Sequence, residues 1–300
     1  MMTASLTELH GGYRLPDTMC FDIASKHSGK RYRIFVSLPQ GDMPSCGWPV
    51  LYLTDGNACF PIAAAAHAIQ SPYPQGTNIE HGIIVAIGYP TDAPFDLMRR
   101  SWDLSPPPCR SYPPYSAGGQ DVVTGGAEEF LTFIETELKP EITARFSVDT
   151  ARQTLFGHSF GGLFALYALF NRPQSFTRYV AASPSIFWEE CRILDFERDF
   201  SLTPNVGTRF LHLSAGEFEG DRLAPFQMNA DDANSRVVNM KKARTAAYAQ
   251  EMAYRLAACI PGNLAVRYET FSGENHLSVL PVAIARALQI AFERVEVMTA

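Results

Sequence analysis

Gln153-Thr154-Leu155-Phe156-Gly157-His158-Ser159-Phe160-Gly161-Gly162-Leu163-Phe164-Ala165-Leu166-Tyr167-Ala168-Leu169-Phe170 is the stretch from which the rest of the chain can be read. Its first four residues have the character of a short buried strand, and the run from Gly162 to Phe170 is apolar over a helical length. Between them stands Gly-x-Ser-x-Gly, residues 157–161. A serine on a sharp strand-to-helix turn needs a strained backbone, and glycines on both sides allow the turn to be tight. The hydroxyl is left at the apex of the turn, which is how a weak alcohol is presented as a nucleophile. A bare five-residue pattern of this kind arises by chance, so strand, turn and helix must carry the reading together.

Working outward, strands and helices alternate, the pattern of an α/β protein with a mostly parallel central sheet and helices on both faces. The start is antiparallel in character: residues 19–24 and 32–38 read as two strands around the turn Ser25-Lys26-His27-Ser28-Gly29. Residues 49–54 are a buried strand, followed by Asp55-Gly56-Asn57 and a helix expected to begin near Pro61, where proline suits a first turn. Residues 82–87 form another buried strand, and residues 126–146 a long amphipathic helix. Strands are expected at 178–183, 209–214 and 265–271, with helices around 238–259 and 278–296. Two stretches carry no regular period: 99–125, with Pro106-Pro107-Pro108, and 184–207, with Ile186-Phe187-Trp188. Long irregular loops in a compact domain are expected to wall a binding site.

Composition narrows the class. With 300 residues, 46% hydrophobic and 19% charged, the chain can bury one large core, and no shift in composition divides it, so residues 1–300 are read as a single domain. The six cysteines lack C-x-x-C or metal-ligand spacing, so no disulfide framework or metal site is expected. The start has no basic stretch followed by an apolar one, and no run of 18 apolar residues occurs. The expectation is a soluble, cytoplasmic protein. A net charge of -6 argues against nucleic acid or an anionic membrane as partner.

A serine alkoxide is inaccessible at neutral pH, so Ser159 needs a base that takes its proton during attack and returns it to the leaving group. The place for that base is the loop after the last strand, where Gly273-Glu274-Asn275-His276 supplies His276. The other histidines lack this placement, and His158, beside the serine, is read as a packing residue. A carboxylate should follow the strand near 209–214, and Gly216-Glu217-Phe218-Glu219-Gly220 offers two. The acid must turn back toward the imidazole, which favours Glu219, deeper in the loop, over Glu217, with Asp221 ranked third. The developing oxyanion needs preorganised donors: the N–H of Phe160, next after the serine, and an N–H from the Asp55-Gly56-Asn57 loop, with Asn57 preferred and Gly56 as the alternative. No metal or organic cofactor is required.

Taken in order, Asp55-Gly56-Asn57, Arg100-Ser101-Trp102-Asp103-Leu104-Ser105-Pro106, Gly125-Gly126-Ala127-Glu128-Glu129-Phe130, the elbow, and Ser183-Pro184-Ser185-Ile186-Phe187-Trp188 resemble the ferric-siderophore esterases, the enterobactin, salmochelin and bacillibactin hydrolases of the α/β-hydrolase superfamily. The resemblance covers roughly residues 30–295. It implies an α/β-hydrolase fold and a small-molecule partner, an ester such as a trilactone or linear siderophore, with iron arriving as part of the substrate. It matches Ser159 and His276 to nucleophile and base, Glu219 to the acid, and Arg100 to an arginine facing an anionic substrate. A ferric tris-catecholate is strongly negative, and Arg99, Arg100 and Arg110 could offset the chain's own field. Trp188, with Trp102, Tyr112, Tyr115 and Phe187, would offer flat surface to catechol rings. The competing expectation is a carboxylesterase acting on another acyl ester or thioester, such as an acylated carbohydrate, because one catalytic group serves many acyl substrates.

Overall fold

A computed structural model describes residues 14–201, 209–259 and 264–294. Among them the strands are β1 (Thr18–Ala24), β2 (Arg31–Ser37), β3 (Trp48–Leu53), β4 (Ile83–Gly88), β5 (Arg110–Tyr112), β6 (Val122–Thr124), β7 (Val148–His158), β8 (Arg178–Ala182), β9 (Arg209–Gly216) and β10 (Leu264–Phe271). Eight form one sheet in the order β1-β2-β4-β3-β7-β8-β9-β10, and β5 and β6 make a separate ribbon. β1 with β2 and β2 with β4 are antiparallel; from β4 to β10 every pairing is parallel. This is the mostly parallel α/β sheet that the alternation of elements predicts.

Alternate residues of the central strands enter opposite cores, as the two-residue period of a strand requires. Leu51, Leu53, Phe156 and Val180 lie under the helices Gly56–Gln70 and Val279–Phe292. Val50, Tyr52, Leu155 and Tyr179 lie under the elbow helix Phe160–Asn171 and the helix Thr245–Cys259. Both faces are covered, which explains why β4 is buried along its whole length. No helix among the described residues is long and apolar enough to cross a membrane.

Several local expectations need correction. The helix expected near Pro61 starts at Gly56 and holds Pro61 inside it. Asp55 adopts a left-handed conformation (φ 52°), and its carbonyl already accepts the N–H groups of Ala58 and Cys59, each at 3.0 Å, so the helix begins directly at the end of β3. The helix over 126–146 is interrupted by a π-helical turn, Ile134–Leu138, just ahead of Pro140, whose missing N–H is tolerated at the start of the following segment Lys139–Arg145. The helix expected at 238–259 is two helices, Ala233–Ala243 and Thr245–Cys259, separated by Arg244 at φ 45°.

Nor are the two unassigned stretches wholly irregular. The first holds the helix Leu97–Asp103, which stops shortly before the proline run, and then the β5–β6 ribbon. The second holds the helix Ile193–Ser201, where Ile193, Glu197 and Phe200 are buried at helical spacing among charged neighbours that hide the pattern. Residues 202–207 of that stretch, 295–296 of the expected last helix, and His10 lie outside the described residues.

Buried titratable groups give the fold an acid limit. Burial pulls His67 down to about 4, and does the same to His212 despite its contact with Glu269, 3.1 Å away. A base with a depressed folded pKa stabilises the fold fully above its unfolded value near 6.5 and loses that contribution as pH falls toward 4. Asp103, raised to about 6 by burial, acts in the opposite sense. These two histidines against one aspartate leave a net loss of about 3 kcal/mol between pH 6.5 and pH 4, taking about 1.4 kcal/mol per pH unit, and the buried His158, also held below its usual value, adds to it in the same sense. Urea unfolding at the two pH values measures it; equal stability contradicts it.

Candidate active site

The elbow forms where β7 meets the helix Phe160–Asn171. Ser159 takes φ 59° and ψ -114°, a strained conformation for a side-chain-bearing residue. Its N–H donates to the carbonyl of Ala182 at 3.0 Å, pinning the strained turn to β8. A Cβ on Gly157 would collide with the carbonyl of Gly161, and one on Gly161 with Oγ1 of Thr54. The two glycines are thus required by close approach. Gly162 lets the helix run 2.9 Å from the carbonyl oxygen of Ala182, measured from where its Cβ would be.

His276 lies after β10, in a loop shaped by Asn275, whose Oδ1 accepts from the N–H groups of Leu277 (3.0 Å) and Ser278 (3.2 Å). Its Nε2 is 3.0 Å from Ser159 Oγ, and its Nδ1 is 2.6 Å from Glu219 Oε2. The structure thus brings together Ser159, His276 and the favoured carboxylate. Glu219 is 4% exposed, and its other oxygen, Oε1, accepts from Ser183 Oγ at 2.5 Å and from the Gly216 N–H at 2.8 Å. A buried carboxylate held by three donors is satisfied and fixed in direction.

Glu217 does something else. It accepts from the Gly273 N–H (2.9 Å) and Ser272 Oγ (2.8 Å) and pairs with Arg222, so it ties the loop after β9 to the one carrying His276. The Phe218 N–H adds a second tie, to the Glu274 carbonyl at 2.8 Å. Hydrogen bonding from Gly273, then from Ser272 and Arg222, holds the Glu217 carboxyl below its usual range. Asp221 is exposed.

Phe160 and Asn57 occupy the first turns of their helices, where N–H groups have no intrahelical acceptor. Among the described residues neither N–H has another partner. The Asn57 side chain is fully used: Nδ2 donates to the carbonyls of Tyr89 (3.0 Å) and Thr91 (2.8 Å), and Oδ1 accepts from the Tyr89 N–H (2.8 Å). That clasp fixes the loop at the end of β4. His158 is buried with its ring 4.8 Å from that of His276. Burial, then the charges of His276 and Arg100, hold it well below 6.5, in the neutral form. Ser185, which the sequence reading did not single out, places Oγ 3.2 Å from Ser159 Oγ.

A cavity of about 570 Å³ opens above these groups, lined by Arg100, Phe160, Phe187 and Trp188 and, from the far side, by Phe218, Leu223, Gln227, Asn239 and Met240. Its size is that of a small-molecule site. The far wall escaped the sequence reading, although the chain after a parallel strand's carboxyl end is where such a wall belongs. Arg100 reaches the cavity, yet its Nε and Nη2 are taken by Asp55 at 2.8 and 3.0 Å, and its side chain is only 12% exposed. Arg99 instead packs over Tyr32 and Tyr89, and Arg110 pairs with Glu189. Of the expected aromatics, Trp188 and Phe187 line the cavity; Tyr112 backs Trp188 with ring centroids 5.4 Å apart, Tyr115 bonds Ser101, and Trp102 bonds Glu129. Removing Arg100 strands the Asp55 carboxylate, so Arg100→Ala is expected to destabilise the fold by about 3–5 kcal/mol, measurable by urea unfolding; an unchanged midpoint would argue that the pair is not buried in solution. Among the described residues no group of three or more His, Cys, Asp or Glu is placed to hold a metal.

Comparison with known proteins identifies the family. Residues 25–253 match the family described as "Putative esterase". The chain is 37% identical over 282 residues to the ferri-bacillibactin esterase BesA of Bacillus subtilis, covering 93% of this chain and 91% of the relative. It is 38% identical over 253 residues to the siderophore triacetylfusarinine C esterase of Aspergillus fumigatus, covering 82% of each. Among solved structures, the BES protein from Bacillus cereus superposes with a TM-score of 0.78 at 32% identity, over 96% of this chain and 99% of that one. Siderophore hydrolase EstA from Aspergillus nidulans gives 0.79 at 31% identity, over 96% and 97%. With its elbow on a mostly parallel sheet and these relatives along nearly its whole length, the chain belongs to this esterase family of the α/β-hydrolase fold, beside the siderophore esterases, and is a hydrolase of ester bonds.

Proposed function

We propose that the protein is a serine esterase that cleaves the ester bonds of a trilactone or related siderophore through Ser159, His276 and Glu219. The observation that carries this reading is the continuous hydrogen-bonded line from Ser159 Oγ through the imidazole to Glu219 at the floor of the cavity. The likeness to relatives named for siderophore esters supports the substrate class.

The chemistry follows from the geometry. Glu219 accepts from Nδ1–H of His276 and so fixes the tautomer that leaves Nε2 free to take the Ser159 proton. As Oγ attacks the ester carbonyl, the oxyanion is received by the N–H groups of Phe160 and Asn57, positive ends of two helices. Collapse expels the alcohol, which takes its proton from Nε2, and leaves an acyl-serine. Water, deprotonated by the same nitrogen, releases the acid and restores Ser159. Every proton passes through one imidazole.

Treatment with a fluorophosphonate followed by peptide mass analysis is expected to place the adduct on Ser159; labelling elsewhere, or none in folded protein, would remove Ser159 as nucleophile. A cytoplasmic setting is part of this proposal, supported by five free cysteines among the described residues. Cell fractionation tests it, and recovery outside the cytoplasm would contradict it.

A further inference from the structure

The serine hydroxyl at the elbow is hydrogen-bonded to two side chains, and only one of them belongs to the line from Ser159 to Glu219. Ser159 Oγ lies 3.0 Å from Nε2 of His276 and 3.2 Å from Oγ of Ser185. Ser185 comes from the turn after β8, Asn57 comes from just beyond the end of β3, and β7 runs between those two strands. The hydroxyl and the oxyanion donor therefore approach Ser159 from opposite flanks. The β8 flank is also the one toward β9 and β10, whose following loops bring Glu219 and His276. Backbone hydrogen bonds hold the turn in place: Ser183 sits at φ 44° with its N–H donating to the Ser214 carbonyl at 2.7 Å, and the Ser185 N–H donates to the Ser159 carbonyl at 3.2 Å. The Trp188 N–H closes it onto the Ser185 carbonyl at 3.1 Å. Ser185 is 5% exposed, yet it lines the cavity.

Counting hydrogens fixes what this hydroxyl offers. Glu219 takes the Nδ1–H of His276, so Nε2 accepts and the Ser159 proton goes to it. Ser159 has no second proton, so the Ser185 hydroxyl donates to Ser159 Oγ. The lone pairs of Ser185 Oγ are left open to the cavity, and among the described residues no group donates to them. They can receive an O–H only from what occupies the cavity. In the acyl-serine the next reactant is water, which has two O–H bonds: one gives its proton to Nε2, and the other needs an acceptor on the same flank. We propose that Ser185 is a catalytic residue of the deacylation step, one that accepts the second O–H of the attacking water and so makes water the preferred acyl acceptor; this rests on the acyl-serine part of the proposed function. The water oxygen bonds the acyl carbon as its first proton passes to Nε2. The bond from that carbon to Ser159 Oγ then breaks, Oγ takes the proton from Nε2, and the second proton leaves on the carboxylic acid. Ser185 transfers nothing. It aims the water, and its own O–H, held on Ser159 Oγ, favours that oxygen as the leaving group. An alcohol has a single O–H, which Nε2 requires, so it gains nothing from the Ser185 lone pairs.

The test is competition between water and methanol for the acyl group. Wild-type protein and Ser185→Ala are given one acyl group as two aryl esters with different leaving phenols, at fixed methanol, and the ratio of methyl ester to acid is measured beside kcat/KM. Alanine keeps the backbone bonds that hold the turn, and matched circular dichroism checks the fold. The ratio is expected to rise about three- to tenfold in Ser185→Ala, the worth of one neutral hydrogen bond, while kcat/KM, which includes steps only through acylation, stays within about twofold. An unchanged ratio overturns the proposal. So does a loss in kcat/KM as large as the change in ratio, because a merely structural serine would weaken acylation as well. In the wild type the two phenols should give one ratio, as a shared acyl-serine requires; ratios that follow the leaving group overturn the acyl-serine reading itself, and the proposal with it.

Discussion

Ser159→Ala is expected to lower kcat about 10⁶-fold on a siderophore ester while leaving the fold and KM nearly unchanged. The magnitude follows from the role of the residue. Without Oγ there is no acyl-enzyme, so the base, the acid and the helix ends have no nucleophile to serve, and what remains is binding and oxyanion stabilisation worth about 10³- to 10⁴-fold over water. Alanine also removes the Ser159 Oγ contacts with His276 and Ser185, but the strained backbone is held by the N–H bond to Ala182, which alanine keeps. Steady-state kinetics with matched circular dichroism measures the effect. A loss smaller than about 10³-fold would mean that another group delivers the attack.

The second large effect is at the acid. Glu219→Gln is expected to cost about 10⁴ in kcat, because an amide nitrogen facing Nδ1 favours the wrong imidazole tautomer and cannot stabilise the imidazolium. The effect should be sharper than isosteric replacement suggests, since Oε1 also receives Ser183 and Gly216, and glutamine can satisfy those two donors only by turning its NH₂ toward His276. Glu217→Gln should cost far less, about tenfold or below: it weakens ties at Ser272 and Gly273 without touching the imidazole. Comparing kcat of the two variants at one pH separates the carboxylates, and a larger loss at Glu217 would reverse their assignment.

How much of this was legible in the sequence depends on the range of the interactions involved. The elbow was readable because its demands are local: a positive φ at Ser159 and glycines at 157 and 161 forced by contacts of atomic dimensions. The chain order of serine, carboxylate and histidine was readable because the parallel sheet delivers the ends of β7, β9 and β10 to one side. The choice of Glu219 over Glu217 rested on loop depth, and the hydrogen bonds place Glu219 against the imidazole. Local signals misled at Pro61, where a left-handed Asp55 sets the helix start, and at Arg244, where a positive φ divides what reads as one helix.

The partner of Arg100 was not legible at all. Asp55 lies 45 positions away, and nothing in either motif says that a bidentate pair will form between them. That pair fixes the direction of the arginine where it lines the cavity. The far wall, from Phe218 to Met240, was missed for a related reason. Its residues are individually ordinary, and only the return of the chain over the end of β9 makes them neighbours of Ser159.

The most direct measurement is chromatography of the products after wild-type protein and Ser159→Ala are each incubated with ester-linked siderophores, in iron(III)-loaded and metal-free forms. Linear hydroxy-acid fragments from the wild type and intact siderophore from the variant are the predicted result. Intact siderophore from both, with a small aryl ester still cleaved by the wild type alone, would keep Ser159 as nucleophile and contradict the siderophore as its substrate.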